Sequence, residues 1–147
     1  MTVDVTTEIT IARPRDVVAT YASDPDNATT WYENIQSVEW KTSRPLGVGS
    51  QVAFVARFLG RRLAYTYEVQ EMSRDRFVMA TSEGPFPMVT TYTWRDTATG
   101  GTEMVLRNHG TPSGFARISA PMMAAAMRRA NAKDLRKLKS VLEQHSK

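Results

Sequence analysis

The chain is expected to be an α+β domain, an antiparallel sheet of about seven strands covered by one long C-terminal helix, with two short helices after the first strand. Three observations predict it. Between Val3 and Asn108, apolar residues recur with a period of two in segment after segment, each segment having a single aromatic or aliphatic face. That is the pattern of antiparallel strands wet on one side and covered on the other. Turns bearing glycine or proline separate the segments. From Thr111 to Gln144 the period lengthens to that of a helix, and only this run is big enough to cover the sheet.

The elements follow in order. Val3, Val5, Thr7, Ile9 and Ile11 alternate with polar residues and form the first strand. Pro14 opens a short helix, Arg15 to Ala22, with Val17, Val18 and Tyr21 on its apolar side. Asp24-Pro25 starts a second short helix, the aspartate capping and the proline in the first turn, which carries Ala28, Trp31 and Tyr32. A second strand runs from Ile35 to Thr42 with Val38 and Trp40 on one side. Gly47-Val48-Gly49-Ser50 is a strand-to-strand turn rather than a phosphate cradle, since neither a helix nor a lysine follows it. Val52, Phe54, Ala56 and Phe58 then share a face, as do Leu63, Tyr65, Tyr67 and Val69 beyond the Gly60 turn. Phe77 and Met79 mark a shorter strand. After the Gly84-Pro85-Phe86-Pro87 break come Met88, Thr90, Tyr92 and Trp94, and after Gly100-Gly101 come Thr102, Met104, Leu106 and Asn108.

Thr111 with Pro112 suits a helix start. Pro121 then either kinks that helix or ends a short piece before the main helix begins. One stripe contains Ala120, Met123, Ala124, Met127, Asn131, Asp134, Leu135, Leu138, Val141 and Leu142. A second apolar face, Phe115, Ile118, Met122 and Ala126, exists only in the first half, so that half must touch more than one layer.

At 147 residues the chain makes one domain, residues 1–147, able to bury roughly 70% of its unfolded surface. It has no cysteine, so disulfides and thiol catalysis are excluded. His109 and His145 are too few for the usual zinc site, and no nucleotide motif is present, so neither metal nor cofactor is expected. The net charge is +4 and the pI about 9.6. The basic residues are scattered, apart from Arg128 to Lys139, which suit a solvated helix face rather than nucleic acid. No apolar run approaches the roughly 18 residues of a membrane span, and the N-terminus lacks a signal-peptide pattern, so a cytoplasmic protein is expected.

This element order is that of the helix-grip fold, in which a curved sheet wraps the last helix. With Tyr21-Ala22-Ser23-Asp24-Pro25-Asp26-Asn27, Trp31, Gly47-Val48-Gly49-Ser50 and the paired leucines of the terminal helix, the chain resembles the START and Bet v 1-like superfamily, in its bacterial polyketide cyclase/dehydrase and lipid-transport branch. The resemblance covers essentially the whole chain and implies a hydrophobic cavity between sheet and helix. It does not imply a shared catalytic signature.

The residues agree with a cavity that has polar groups in it. Tyr65, Tyr67, Thr90, Tyr92 and Asn108 fall on the inward face, and Asn131 or Asp134 approaches from the helix. Trp31, Trp40, Phe54, Phe86 and Trp94 are expected as walls, Met104, Met122, Met123 and Met127 as adaptable filling, and Phe115 with Met122 as the closure of an entrance between the Gly84 to Pro87 turn, the region around Trp31 and the helix start. For chemistry the candidates are His109, Tyr92 and Asn108, with Asp134 as an acid in the helix stripe. Three functions stay open: a carrier or sensor of a small hydrophobic molecule, a cyclase or dehydratase, and a module that meets a second copy or a protein partner through the start of the helix.

Overall fold

The computed structural model describes residues 2–115 and 118–144. Among them, β1 (Val3–Ile11), β2 (Ile35–Trp40), β3 (Gln51–Phe58), β4 (Arg61–Met72), β5 (Arg76–Glu83), β6 (Met88–Asp96) and β7 (Thr102–Gly110) form one antiparallel sheet in the order β1-β7-β6-β5-β4-β3-β2. The first two strands are thus its opposite edges. The chain crosses from one edge to the other through α1 (Arg15–Ser23), a single 3₁₀ turn at Pro25–Asn27 and α2 (Ala28–Trp31). Asp24 caps this crossing as expected, its carboxylate accepting from Asp26 N–H at 2.9 Å.

Register shifts between Ile35 and Ser37, between Thr66 and Tyr67 and between Val69 and Glu71 add local twist, which bends the sheet. Between β3 and β4 the two turn residues Leu59 and Gly60 both have positive φ, 51° and 78°, the condition for a tight hairpin that follows the strand twist. Glycine takes that conformation freely; Leu59 does so against its Cβ.

The terminal helix α3 spans Ala120–Gln144 and packs along β1. It does not begin at Thr111. There the backbone continues the sheet, Thr111 N–H donating to Pro87 C=O at 3.0 Å. Ser119 begins the helix instead: its carbonyl accepts from Met123 N–H at 2.9 Å and its hydroxyl from Met122 N–H at 3.3 Å. Pro121 therefore lies in the first turn, where its missing N–H breaks no helical bond, and no kink is needed. Phe115 and Ile118 precede the helix and do not share a face with Met122. Ala116, Arg117 and His145 lie outside the described residues.

The predicted stripe is the gripped face, with Met123, Met127, Asn131, Asp134, Leu135, Leu138 and Leu142 all buried. Its C-terminal end is tied back to the first strand. Arg13 donates to Leu142 C=O at 2.7 Å, which suits the negative end of a helix, and Lys139 donates to Thr10 C=O at 2.7 Å. Two clusters divide the interior. One joins Trp31, Trp94, Met104 and Leu106 to Leu135, Leu138 and Leu142; the other joins Leu63, Met88 and Phe115 to Met123 and Met127.

Candidate functional site: a half-polar cavity under the helix

Between the inner face of β3–β7 and α3 lies a cavity of about 180 Å³. At about 15 Å³ of such space per water, this has room for on the order of a dozen waters, or a bicyclic to tricyclic molecule. Strand alternation brings Phe54, Tyr65, Tyr67, Phe77, Thr90, Tyr92 and Asn108 to its floor, and α3 supplies Met123, Met127, Ala130, Asn131 and Asp134 as its roof. Gly84, in the turn after β5, lies so close to Tyr65 that a Cβ there would stand 2.8 Å from the Tyr65 Cβ. That close approach fixes the tyrosine's backbone against the turn.

The cavity has two ends of different chemistry. Toward the 84–87 turn it is oily. Phe115 is buried against Phe58 and Phe86 with ring centroids 6.1 Å apart in each pair, and the Arg61 guanidinium covers it at 5.3 Å while donating to Ser113 C=O. Toward α2 it is polar. Tyr32 and Tyr92 hydroxyls share a hydrogen bond, and Glu33 N–H donates to Asp134 Oδ1 at 3.1 Å. On the floor, Thr90 has one hydroxyl proton. Because Asn108 Oδ1 can only accept it, at 2.6 Å, the Tyr67 hydroxyl must be the donor in its 2.8 Å bond to Thr90. Among the described residues nothing accepts from the Asn108 amide group. One turn before Asp134, Asn131 Nδ2 is buried with no partner among the described residues.

Burial sets the charge states. It pushes the hydroxyls of Tyr32, Tyr65 and Tyr92 well above the usual phenol value, and that of Tyr67 to about 12 in spite of its bond to Thr90. All four are neutral donors at physiological pH. Burial also raises Asp134 to about 7, opposed by the Glu33 N–H bond and by Lys133 and reinforced by the Glu33 carboxylate. The arrangement offers a ligand an apolar bed, several hydrogen-bond donors and one carboxyl near its titration midpoint.

Of the residues expected to bind, Phe54, Tyr65, Tyr67, Phe86, Tyr92, Asn108, Phe115, Met127 and Asn131 line this space. Trp31 and Met104 do not. They lie in the filled cluster beneath Leu135 and Leu138, Trp31 backing the polar end with its ring 4.0 Å from that of Tyr32. Met122 is 59% exposed on the outer side of the first helical turn, so it closes nothing. Trp40 and Trp94 flank a separate outer groove beside α1, where Arg44 covers the Trp40 ring at 4.4 Å. Among the chemical candidates, Tyr92 and Asn108 line the cavity; His109 pairs in register with Asp4 and Val89 on the opposite face. Tyr32 is a wall that the sequence pattern does not single out. It leaves the helical period at the C-terminal end of α2, with extended backbone, and so turns inward. No group of His, Asp and Glu among the described residues is placed to hold a metal ion, and no described helix is long and apolar enough to cross a membrane.

Comparison with known proteins gives the same fold. A protein of Thermus thermophilus superposes with a TM-score of 0.83 at 19% identity, over 99% of this chain and 100% of that one. The Zhui aromatase/cyclase of Streptomyces sp. R1128 superposes at 0.80 with 17% identity, over 100% and 97%. A START superfamily protein of Mycobacterium smegmatis does so at 0.83 with 13% identity, over 96% and 97%. No curated protein matches the sequence. The family model described as polyketide cyclase / dehydrase and lipid transport matches residues 2–143, and the chain belongs to that family.

Proposed function

We propose that the protein binds a small, mainly apolar, ring-bearing molecule between the sheet and α3, as a carrier or sensor. The observation that carries this is the division of the cavity. One end is walled by Phe58, Phe86, Phe115 and Met123, and the other by Tyr32, Tyr92, Asn131 and Asp134, so a ligand with one polar end is held in one orientation. Apolar burial supplies the affinity and the unpartnered Asn131 amide rewards a polar group that reaches it. The titration of a neutral aromatic fluorophore such as N-phenylnaphthylamine tests it. The wild type should give a saturable rise in emission, and Ala130→Phe, which fills the space from the roof, should abolish the rise while the circular dichroism spectrum is kept. Equal binding by the Ala130→Phe protein would place the ligand elsewhere.

One observation favours a second reading, a cyclase or dehydratase. Asp134 is a buried carboxyl held near pH 7, the range in which one group both gives and takes a proton, and it shares the polar end with the Tyr32–Tyr92 pair. Polyketide mimics incubated with the protein, followed by mass spectrometry for loss of water, separate an enzyme from a carrier.

A further inference from the structure

The cavity's charge is opposite to that of the molecule. The chain carries a net +4, yet among the described residues the side chains lining the cavity include no lysine, arginine or histidine. They include two carboxyls, Asp24 and Asp134. Asp134 is only 4% exposed, takes part in none of the ion pairs among the described residues, and spends one oxygen on Glu33 N–H. The adjacent Lys133 is turned to the Glu33 carboxylate at 2.8 Å. A buried carboxylate without a cation is costly. The hydroxyls of Tyr32, Tyr65 and Tyr92 lie near enough to feel its charge, and they share the cavity with the orphaned Asn131 amide.

Resting on the reading that the cavity binds a ring-bearing molecule, we propose that the ligand's polar end is a protonated amine, with Asp134 as its counter-ion. The ring system lies toward Phe115 and the ammonium between Asp134 and the tyrosines. A carboxylic acid is rejected, because it meets Asp134 and Asp24 without a compensating cation. Charge exchange also explains how Asp134 is tolerated. Empty, it is held near pH 7; with an ammonium beside it, it ionises. The charged and titratable groups facing it are Glu33 and, on its own helix, Lys133, which pair with each other, and Tyr32, Tyr65 and Tyr92, whose hydroxyls burial keeps neutral.

The test is calorimetric titration of the wild type with three probes on one skeleton: naphthylethylamine, naphthylethanol and naphthylacetate. At pH 8 the amine should bind at least about tenfold more tightly than the alcohol, with the acid weakest. At pH 5 that lead should shrink by about tenfold or more, since Asp134 must first give up a proton. In Asp134→Asn, which keeps an acceptor for Glu33 N–H, the amine at pH 8 should fall to within about threefold of the alcohol. An alcohol that matches the amine on the wild type, or a lead that survives in Asp134→Asn, overturns the amine assignment and leaves cavity binding intact. Failure of all three probes to bind overturns both.

Discussion

Replacing Asp134 by asparagine should make the protein more stable at neutral pH, and by an amount that depends on pH. In the empty protein burial lifts the Asp134 carboxyl from 3.8 to about 7. At low pH both the folded and the unfolded chain hold the proton, and the group contributes nothing. As pH rises past 3.8 the unfolded chain gains by ionising while the folded chain does not, so stability is lost between about pH 4 and pH 7 and the loss levels off above it. A difference of about three units at about 1.36 kcal/mol each, less the part already ionised at pH 4, gives a loss of about 3 to 4 kcal/mol by pH 8. Asparagine keeps the shape and the bond from Glu33 N–H but has nothing to ionise. Urea denaturation of both proteins at several values between pH 4 and pH 8.5 isolates the group, because the other carboxylates cancel in the difference. Asp134→Asn should gain on the wild type by about 3 kcal/mol across that range. A difference that stays flat within about 0.5 kcal/mol would show that Asp134 ionises freely in the folded chain, and the description of the polar end would fail with it.

The other expectations concern packing. Leu138 is fully buried in the filled cluster, so Leu138→Ala should cost roughly 2–5 kcal/mol in denaturation, and a loss well below 1 kcal/mol would mean that the second half of α3 is not gripped. Phe115→Ala should cost roughly 3–5 kcal/mol, as for a buried phenylalanine. A small loss with a faster ligand off-rate would instead make Phe115 a lid that opens in solution. Met122→Lys should change stability by less than about 0.5 kcal/mol and leave fluorophore binding unaltered, since the side chain stands in solvent.

The strand faces are legible in the sequence because a period of two leaves no choice: a slip by one residue would turn Tyr65, Tyr67 and Tyr92 outward together. The gripped stripe of α3 is legible for the same kind of reason, down to its two polar members, Asn131 and Asp134. Alternation does not say where along the inward face space is left unfilled. Met104 shares its face with Asn108, yet it sits opposite Ile9 and Trp94 where Leu135 and Leu138 fill the interior, while Asn108 faces the hollow half. Trp31 departs from expectation on the same ground. The helix start turns on local chemistry that is ambiguous, because Thr111-Pro112 and Ser119 with Pro121 are equally good openings by residue type. What decides between them is the pairing of Thr111 with Pro87, a contact between residues far apart in the chain. Tyr32 lies beyond the reach of the pattern because its direction depends on α2 ending one residue earlier.

A ligand seated between the sheet and α3 across both ends of the cavity must perturb the side-chain amide resonances of Asn108 and Asn131, which can be followed during titration with naphthylethylamine. Both amides line the cavity, one from β7 and one from α3. Both should shift along a single saturable isotherm that matches the calorimetric affinity. Shifts confined to the outer groove around Trp40, with both amides unmoved at saturation, would contradict the account.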